Sequence, residues 1–438
     1  MEFNARTAAF LTLGCKVNTY ETEAVEELLK SHGYKIGNFE EYADIYIINT
    51  CTVTAMSDKK SRQMIRRTRK LNPDAIVVVM GCYSQKSPKE ILQIEEVNLV
   101  LGTSNRKAIL KEIENISSTD KKIVVEDIMK IRDFEELEIN EVRDRARALV
   151  KIQDGCDRFC SYCIIPYTRG PVRSRHIESI IEEVKRIVTN GYKEIVLTGI
   201  HVASYGKDLG EIKLIDVIEE ISKIEGLERI RTSSVEPIII TEDFVQRLSK
   251  ISKFCPHFHL SLQSGSDSVL KRMNRRYNSE EYRRAVELIR SQFPLAAITT
   301  DVIVGFPEET VEEFDQTYEF LKALSLYETH IFKYSPREGT KAAEMKDQVD
   351  PMIKNQRSDT LLELNIKNKL EFEKKHIGKT VGVLVETFEN GYAIGHTQNY
   401  IKVGIKTSEN IINQIVAVEI TDVTEQFVIG ERKSLINI

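Results

Sequence analysis

Three apolar runs in the first hundred residues end alike. AAFLTLGC (8–15), DIYIINTC (44–51) and AIVVVMGC (75–82) each close on a cysteine, and a helical stretch follows each. LVLG (99–102) is a shorter fourth run, and the highly charged stretch 116–148 beyond it holds one possible strand, KIVVE. Continuous apolar strands separated by helices predict a parallel, doubly wound sheet. In such open α/β sheets ligands gather at the carboxyl ends of the strands. The topology therefore carries Cys15, Cys51 and Cys82 to one rim. Three unrelated buried cysteines are the alternative, and the shared endings LGC, NTC and MGC argue against it.

A second triplet is local. DGCDRFCSYCIIPYTRG (154–170) sets Cys156, Cys160 and Cys163 in a C-x3-C-x2-C run after a predicted strand, ALVKIQDG (148–155). Three thiolates cannot all pair as disulfides, and they are one short of a closed four-ligand zinc or iron–sulfur site. A zinc knuckle would need a fourth ligand nearby, and the first histidine downstream is His176. An iron–sulfur cube held by three cysteines leaves one iron open to chemistry. Arg169, Arg173 and Arg175 follow. They suit either a substrate phosphate or cofactor carboxylate, or salt bridges to neighbouring glutamates. Cys255 has no partner cysteine nearby and reads as core, while His176 and His201 read as hydrogen-bonding loop residues.

The strand–helix beat resumes with EIVLTG (194–199), RIRTSSV (229–235), HFHLSLQS (257–264), AITTDVIVGF (297–306) and ETHIFKYS (328–335). With 148–155 these make six βα units, too few for a closed eight-fold barrel, and they predict a partial one. Polar groups cluster at the strand ends, where barrel function gathers. They are Gly199, Ser233, Ser234, Glu236 and Gln263, with Asp301 inside the fifth strand.

Other segments speak to partners. The formal net charge is −5, from 62 Lys and Arg against 67 Asp and Glu, so any nucleic-acid contact must come from a local patch. One lies in 58–70, where Lys59, Lys60, Arg62, Arg66, Arg67, Arg69 and Lys70 share a predicted helix. A solvated face is the bland reading. The near absence of interleaved acids leaves the run self-repelling and favours phosphate. After a helix at 351–376 the period changes to two, with Asn390-Gly391 as a hairpin signal, giving a small all-β barrel over 377–438. This module is not basic. Tyr392, His396, Asn399, Tyr400 and Lys402 are its candidates for stacking and polar contacts to unpaired bases. No run approaches the ~18 apolar residues of a membrane span. The amino terminus lacks a secretory layout, so the expected compartment is the cytoplasm.

Taken in order, TLGCKVNTYETE, NTCTVT, GCYSQ, GCDRFCSYCIIPYTRGPVRSR, LTGIHVASYG, SSVEP, LSLQSGSDSVLKRMNRRY, TTDVIVGFPEET and YSPREGT resemble the methylthiotransferases, a family of radical S-adenosylmethionine (radical SAM) enzymes. The resemblance covers the whole chain. It implies an α/β fold: an N-terminal cluster domain with a doubly wound parallel sheet over 1–116, a linker over 117–146, a partial (βα)6 radical SAM barrel over 147–350, a connecting helix over 351–376 and a C-terminal TRAM barrel over 377–438. It implies two [4Fe–4S] clusters, one on Cys156, Cys160 and Cys163 and an auxiliary one on Cys15, Cys51 and Cys82. S-adenosylmethionine is implied as both radical source and methyl donor, held by the strand-end groups Gly199, Ser233, Ser234, Glu236, Gln263 and Asp301. The implied partners are a tRNA anticodon stem-loop and a one-electron reductant, with the protein a monomer. LGCKVNTYETE and EIVLTGIHVASYG resemble most the enzymes acting on N6-threonylcarbamoyladenosine at tRNA position 37. The same chemistry on N6-isopentenyladenosine or on an aspartate of ribosomal protein S12 is an alternative. A non-catalytic iron–sulfur RNA-binding protein is an alternative of another class.

Overall fold

The computed structural model describes residues 6–137, 139 and 146–433. The first sheet holds six parallel strands in the order β2-β1-β3-β4-β5-β6. They are β1 (Thr7–Thr12), β2 (Lys35–Gly37), β3 (Ile45–Thr50), β4 (Ile76–Gly81), β5 (Leu99–Leu101) and β6 (Lys122–Val124). Every residue of β3 and β4 is buried, because helices cover both faces of the sheet. β6 lies in the segment expected as a linker over 117–146, within its possible strand KIVVE. Lys122–Val124 pairs with β5 and completes the sheet edge. Leu137 and Ile139 are buried in the core of the next module.

The central module contains β7 (Arg147–Asp154), β8 (Arg173–Ser174), β9 (Glu194–Gly199), β10 (Arg229–Thr232), β11 (His257–His259), β12 (Ala297–Val304) and β13 (Glu328–Lys333). Six of these run parallel, and β8 is a short antiparallel edge against β7. Single bridges at Ile230–Phe254 and Val235–Leu260 join β10 to the β11 side, so the barrel is open and partial. β11 is shorter than the run 257–264 expected for it. The chain turns at Gln263, whose φ is +74°, and meets β12 again through one bridge to Val302.

A 24-residue helix, Pro351–Lys374, starts on proline with the Asp350 carboxylate accepting from the Met352 N–H. It leads to a closed barrel in the order β14-β15-β16-β18-β17. These strands are β14 (Thr380–Glu389), β15 (Tyr392–Thr397), β16 (Lys402–Lys406), β17 (Ile415–Val423) and β18 (Val428–Arg432). Asn390 and Gly391, both at positive φ, form the two-residue turn between β14 and β15.

This barrel sits against the amino ends of β7, β9 and β10. Arg229 donates to the carbonyls of Gly382 and His396, and Arg231 to that of Gln398. The Tyr400 ring stacks between His257 (4.7 Å) and His396 (4.6 Å), under the guanidinium groups of Arg147 and Arg231. Asn399 donates to the Leu295 carbonyl. His396, Asn399 and Tyr400 are therefore interface groups, which corrects their reading as contacts for RNA bases. Tyr392 packs on Phe427, and Lys402 lies over the same ring. Among the described residues, no helix is long and apolar enough to cross a membrane.

Candidate active site between two cysteine triplets

The first triplet forms where three strands end. Cys51 directly follows β3, and Cys82 opens the helix after β4. Cys15 lies three residues past β1, as the N-cap of the helix Lys16–Ser31. Glycines make the approach close. Gly14 has φ +122°, and a Cβ there would sit 3.0 Å from the Cys51 Cβ. Gly81 has φ +101°, and a Cβ would come within 2.4 Å of Asn49 Oδ1. Only glycine adopts such conformations without strain.

The second triplet wraps the carboxyl end of β7. Arg275 Nη1 reaches Cys160 Sγ at 3.3 Å, and Arg169 Nε reaches Cys82 Sγ at 3.2 Å. Burial pushes the Cys82 and Cys156 thiols up to about 11 and the Cys163 thiol up to about 12. Free thiolates are thus costly here, and a coordinated metal is what would hold them deprotonated. Each set offers soft sulfur donors, with an arginine beside one of its sulfurs. That donor chemistry fits iron–sulfur clusters.

A buried charge network fixes the two triplets against each other. Glu21, fully buried, takes Arg106 at 2.7 Å, Lys151 at 2.7 Å and Arg169 at 2.5 Å. Burial alone would raise its pKa, but these three cations hold the carboxyl well below the usual range. Asp154 takes Lys151 at 2.6 Å and Arg173 at 3.5 Å. Arg175 pairs with Glu183 and Glu136. For Arg169, Arg173 and Arg175 the salt-bridge reading therefore prevails over a ligand-binding one. A second tie crosses the modules at Arg337, which donates to Asp58 at 2.8 Å and Thr52 at 2.5 Å.

A cavity of about 220 Å3 lies beside Cys163 and the loop after Cys51. Cys163, Tyr162, Gln263 and Asp301 line it from the barrel, and Val53 and Thr54, just past Cys51, line it from the first sheet. Asp301 also pairs with His259 at 3.2 Å. Glu236 lies under the cluster loop, bound by Arg158 (2.8 Å), Arg275 (2.9 Å) and His201 (3.1 Å). Against the effect of burial, these partners hold its carboxyl down at about 2. Ser233 Oγ is buried with no hydrogen-bond partner among the described residues. Gly199 closes β9, packed on Gln153. Of the strand-end candidates, only Gln263 and Asp301 line the cavity with Cys163. Cys255 is fully buried core, and His201 hydrogen-bonds Ser204 within its loop, as expected for both.

The chain carries matches to the family models described as "Uncharacterized protein family UPF0004" at residues 7–102, "Radical SAM superfamily" at 150–321 and "TRAM domain" at 374–432. It is 45% identical over 421 residues to the threonylcarbamoyladenosine tRNA methylthiotransferase MtaB of Bacillus subtilis, covering 94% of this chain and 93% of that protein. The chain belongs to the methylthiotransferase family of radical SAM enzymes. It is 36% identical to the tRNA-2-methylthio-N(6)-dimethylallyladenosine synthase of Carboxydothermus hydrogenoformans, over 94% of this chain and 96% of that one. The fold is similar to that of the radical S-adenosylmethionine methyltransferase TsrM from Kitasatospora setae, with TM-score 0.58 at 16% identity over 77% of each chain. Family membership makes the protein a transferase that uses S-adenosylmethionine and a [4Fe–4S] cluster.

The basic helix behaves differently from its sequence reading. It spans Ala55–Leu71 and draws acids from neighbouring elements rather than from itself. Arg62 pairs with Glu90, Arg67 with Glu40 and Arg69 with Glu95. Among the described residues, Lys59, Lys60, Arg66 and Lys70 have no carboxylate partner. Sequence reasoning missed Glu21, Lys151, Arg275 and Arg337 as site residues. Three of them lie inside the family-like motifs TLGCKVNTYETE, LKRMNRRY and YSPREGT, and that placement was the available signal.

Proposed function

We propose that the protein inserts sulfur and a methyl group at C2 of N6-threonylcarbamoyladenosine at tRNA position 37, next to the anticodon. The observation that carries this reading is the shared cavity, lined by Cys163 on one side and by the loop after Cys51 on the other. Two reacting partners delivered from two cysteine sets need such a common space. The relative named for threonylcarbamoyladenosine is 45% identical, against 36% for the one named for dimethylallyladenosine, and this favours the first substrate.

Cys156, Cys160 and Cys163 would hold one [4Fe–4S] cluster, and Cys15, Cys51 and Cys82 a second. When bound, these clusters and S-adenosylmethionine supply radical, sulfur and methyl chemistry that side chains cannot perform at an aromatic C–H. The chain's own groups do the positioning. Arg275 and Arg169 orient the Cys160 and Cys82 sulfurs. Gln263 and Asp301, with Gly199, Ser233, Ser234 and Glu236 around the strand ends, are the candidate contacts for S-adenosylmethionine. Tyr162, Ile303 and Phe332 give the cavity apolar walls. Lys59, Lys60, Arg66 and Lys70, with the C-terminal barrel, would grip the anticodon stem-loop, whose unpaired bases can be splayed out. A one-electron reductant completes the partner set, and the cytoplasm is the compartment where these meet.

Nucleoside mass spectrometry of tRNA from cells with and without the protein tests the reading. The methylthio form of threonylcarbamoyladenosine should vanish with the protein. Its persistence, with loss of the isopentenyl counterpart instead, would transfer the assignment to the other adenosine. In vitro, Cys160→Ala should abolish S-adenosylmethionine cleavage, whereas Cys51→Ala should retain cleavage and lose sulfur insertion.

A further inference from the structure

The cavity beside Cys163 carries two exposed apolar side chains, one from each module. Phe332 of β13 is 50% exposed, and Val53, two residues past Cys51, is 52% exposed. Singly, such residues are ordinary on a protein surface. Here both line one concave space. Its volume, about 220 Å3, is below the roughly 300–1,000 Å3 of sites that take a drug-sized ligand. It suits one planar ring system rather than a whole nucleotide.

Strand register builds the wall that Phe332 belongs to. β12 and β13 pair Asp301 with His330 and Ile303 with Phe332, so these four side chains share a face. On β12 this face is the half-buried one, since Val302 and Val304 on the other face are buried. The other two aromatic rings of the cavity are already engaged. Tyr162 and Tyr334 pack edge-on against Phe306, with ring centroids 6.5 Å and 5.4 Å away. Among the described residues, Phe332 has no ring partner.

Position favours a base over a small cofactor as that partner. β13 is the outermost strand in the order β11-β12-β13. Phe332 therefore stands at the open side of the partial barrel, while Asp301 on β12 and Gln263 after β11 lie further in. A base borne on a macromolecule reaches the cavity past this open edge. Bases splayed out of an RNA loop are held by stacking between aromatic and apolar side chains. We propose that Phe332 is the stacking platform for the reacting adenine of the tRNA, with Val53 against the other face of the ring. This rests on the function proposed above.

The test is equilibrium binding of two anticodon stem-loop RNAs to the cluster-loaded full chain. One carries threonylcarbamoyladenosine at position 37, and the other is abasic there. Phosphate contacts are common to both and cancel in the ratio of affinities. Phe332→Ala should lower the intact-to-abasic ratio by roughly 5- to 100-fold, the range for one stacked base. Phe332→Leu, apolar but without a ring, should lower it nearly as far, and Phe332→Tyr should keep it. Val53→Gly should lower it by less. A ratio unchanged in Phe332→Ala, or preserved in Phe332→Leu, overturns the proposal. Equilibrium dialysis with S-adenosylmethionine alone separates the other source of a planar ring. If Phe332→Ala weakens that binding and leaves the RNA ratio unchanged, the wall belongs to the cofactor and the proposal falls. Failure of the underlying function shows separately, as no methylthiolated product from wild type and the intact RNA.

Discussion

Arg169 Nε lies 3.2 Å from the sulfur of Cys82, while its terminal nitrogens bind Glu21 and Asn18. Arg169 ends the short helix that follows Cys163, and Glu21 lies on the helix that follows Cys15. One fully buried side chain therefore ties the helix after one triplet to a sulfur of the other and to the helix after Cys15. Replacing Arg169 with Met should cost about 3–5 kcal/mol, the scale for stranding a buried charge. Urea denaturation of wild type and variant reads this directly, and a difference under about 1 kcal/mol would argue against the network as a structural tie.

The same network sets an acid limit. Glu21 is held below its ordinary value of 4.5, so its folded pKa is the depressed one. A depressed carboxyl contributes stability that is complete above the unfolded pKa and is lost as pH falls through the folded one. The urea midpoint should therefore drop from about pH 4.5 towards about pH 2, and Glu21→Gln should flatten that segment while lowering stability at neutral pH. An unchanged acid limb in the variant would assign the sensitivity to other carboxyls.

Among the described residues, Lys59, Lys60, Arg66 and Lys70 are the cations of the basic helix without a carboxylate partner. Changing all four to Ala should weaken tRNA binding. It should reduce the slope of log affinity against log salt by about 0.7–0.9 for each phosphate that is no longer neutralised. Changing Arg67 and Arg69, which pair with Glu40 and Glu95, should alter the slope less. Equal effects of the two sets would mean that those ion pairs open on binding.

Tyr400, stacked on His396 of its own barrel, joins the C-terminal barrel to the core through the His257 imidazole and the guanidinium groups of Arg147 and Arg231. Tyr400→Ala should cost about 3 kcal/mol, from the loss of its packing and of its cation–π pairing. Hydrogen exchange should accelerate in β15 and β16, while β3 and β4 stay protected. Protection unchanged in β15 and β16 would show that the remaining ties, among them Arg229, Arg231 and Asn399, hold the barrel without Tyr400.

Much of this was legible in the chain because periodicity and strand-end chemistry are local. The runs ending at Cys51 and Cys82 became β3 and β4 within a residue or two, since a continuous apolar run between helices has few other fates. The all-β tail was readable from its change of period and from Asn390-Gly391. β6 was legible only as the possible strand KIVVE, because three residues in a charged segment gain most of their strand character from the β5 edge beside them. Tyr400 was misread for a related reason. A polar aromatic reads alike whether it faces RNA or another module, and only the packing of Arg147, Arg231 and His257 around it decides. Arg169 was ambiguous until its partner, 148 residues away at Glu21, was in place.

The seat of Tyr400 also has a consequence for synthesis. A ribosome releases the barrel strands long before it releases residues 392–406, so Arg147, Arg229 and Arg231 emerge without the carbonyls and the ring that later receive them. Until then the lower end of the barrel stays wet and its cations are shared only with Glu194. A chain cut short before β15 would keep all six triplet cysteines and still lack the floor of its own barrel. Completeness of the nascent chain is thereby registered where the C-terminal barrel meets the core.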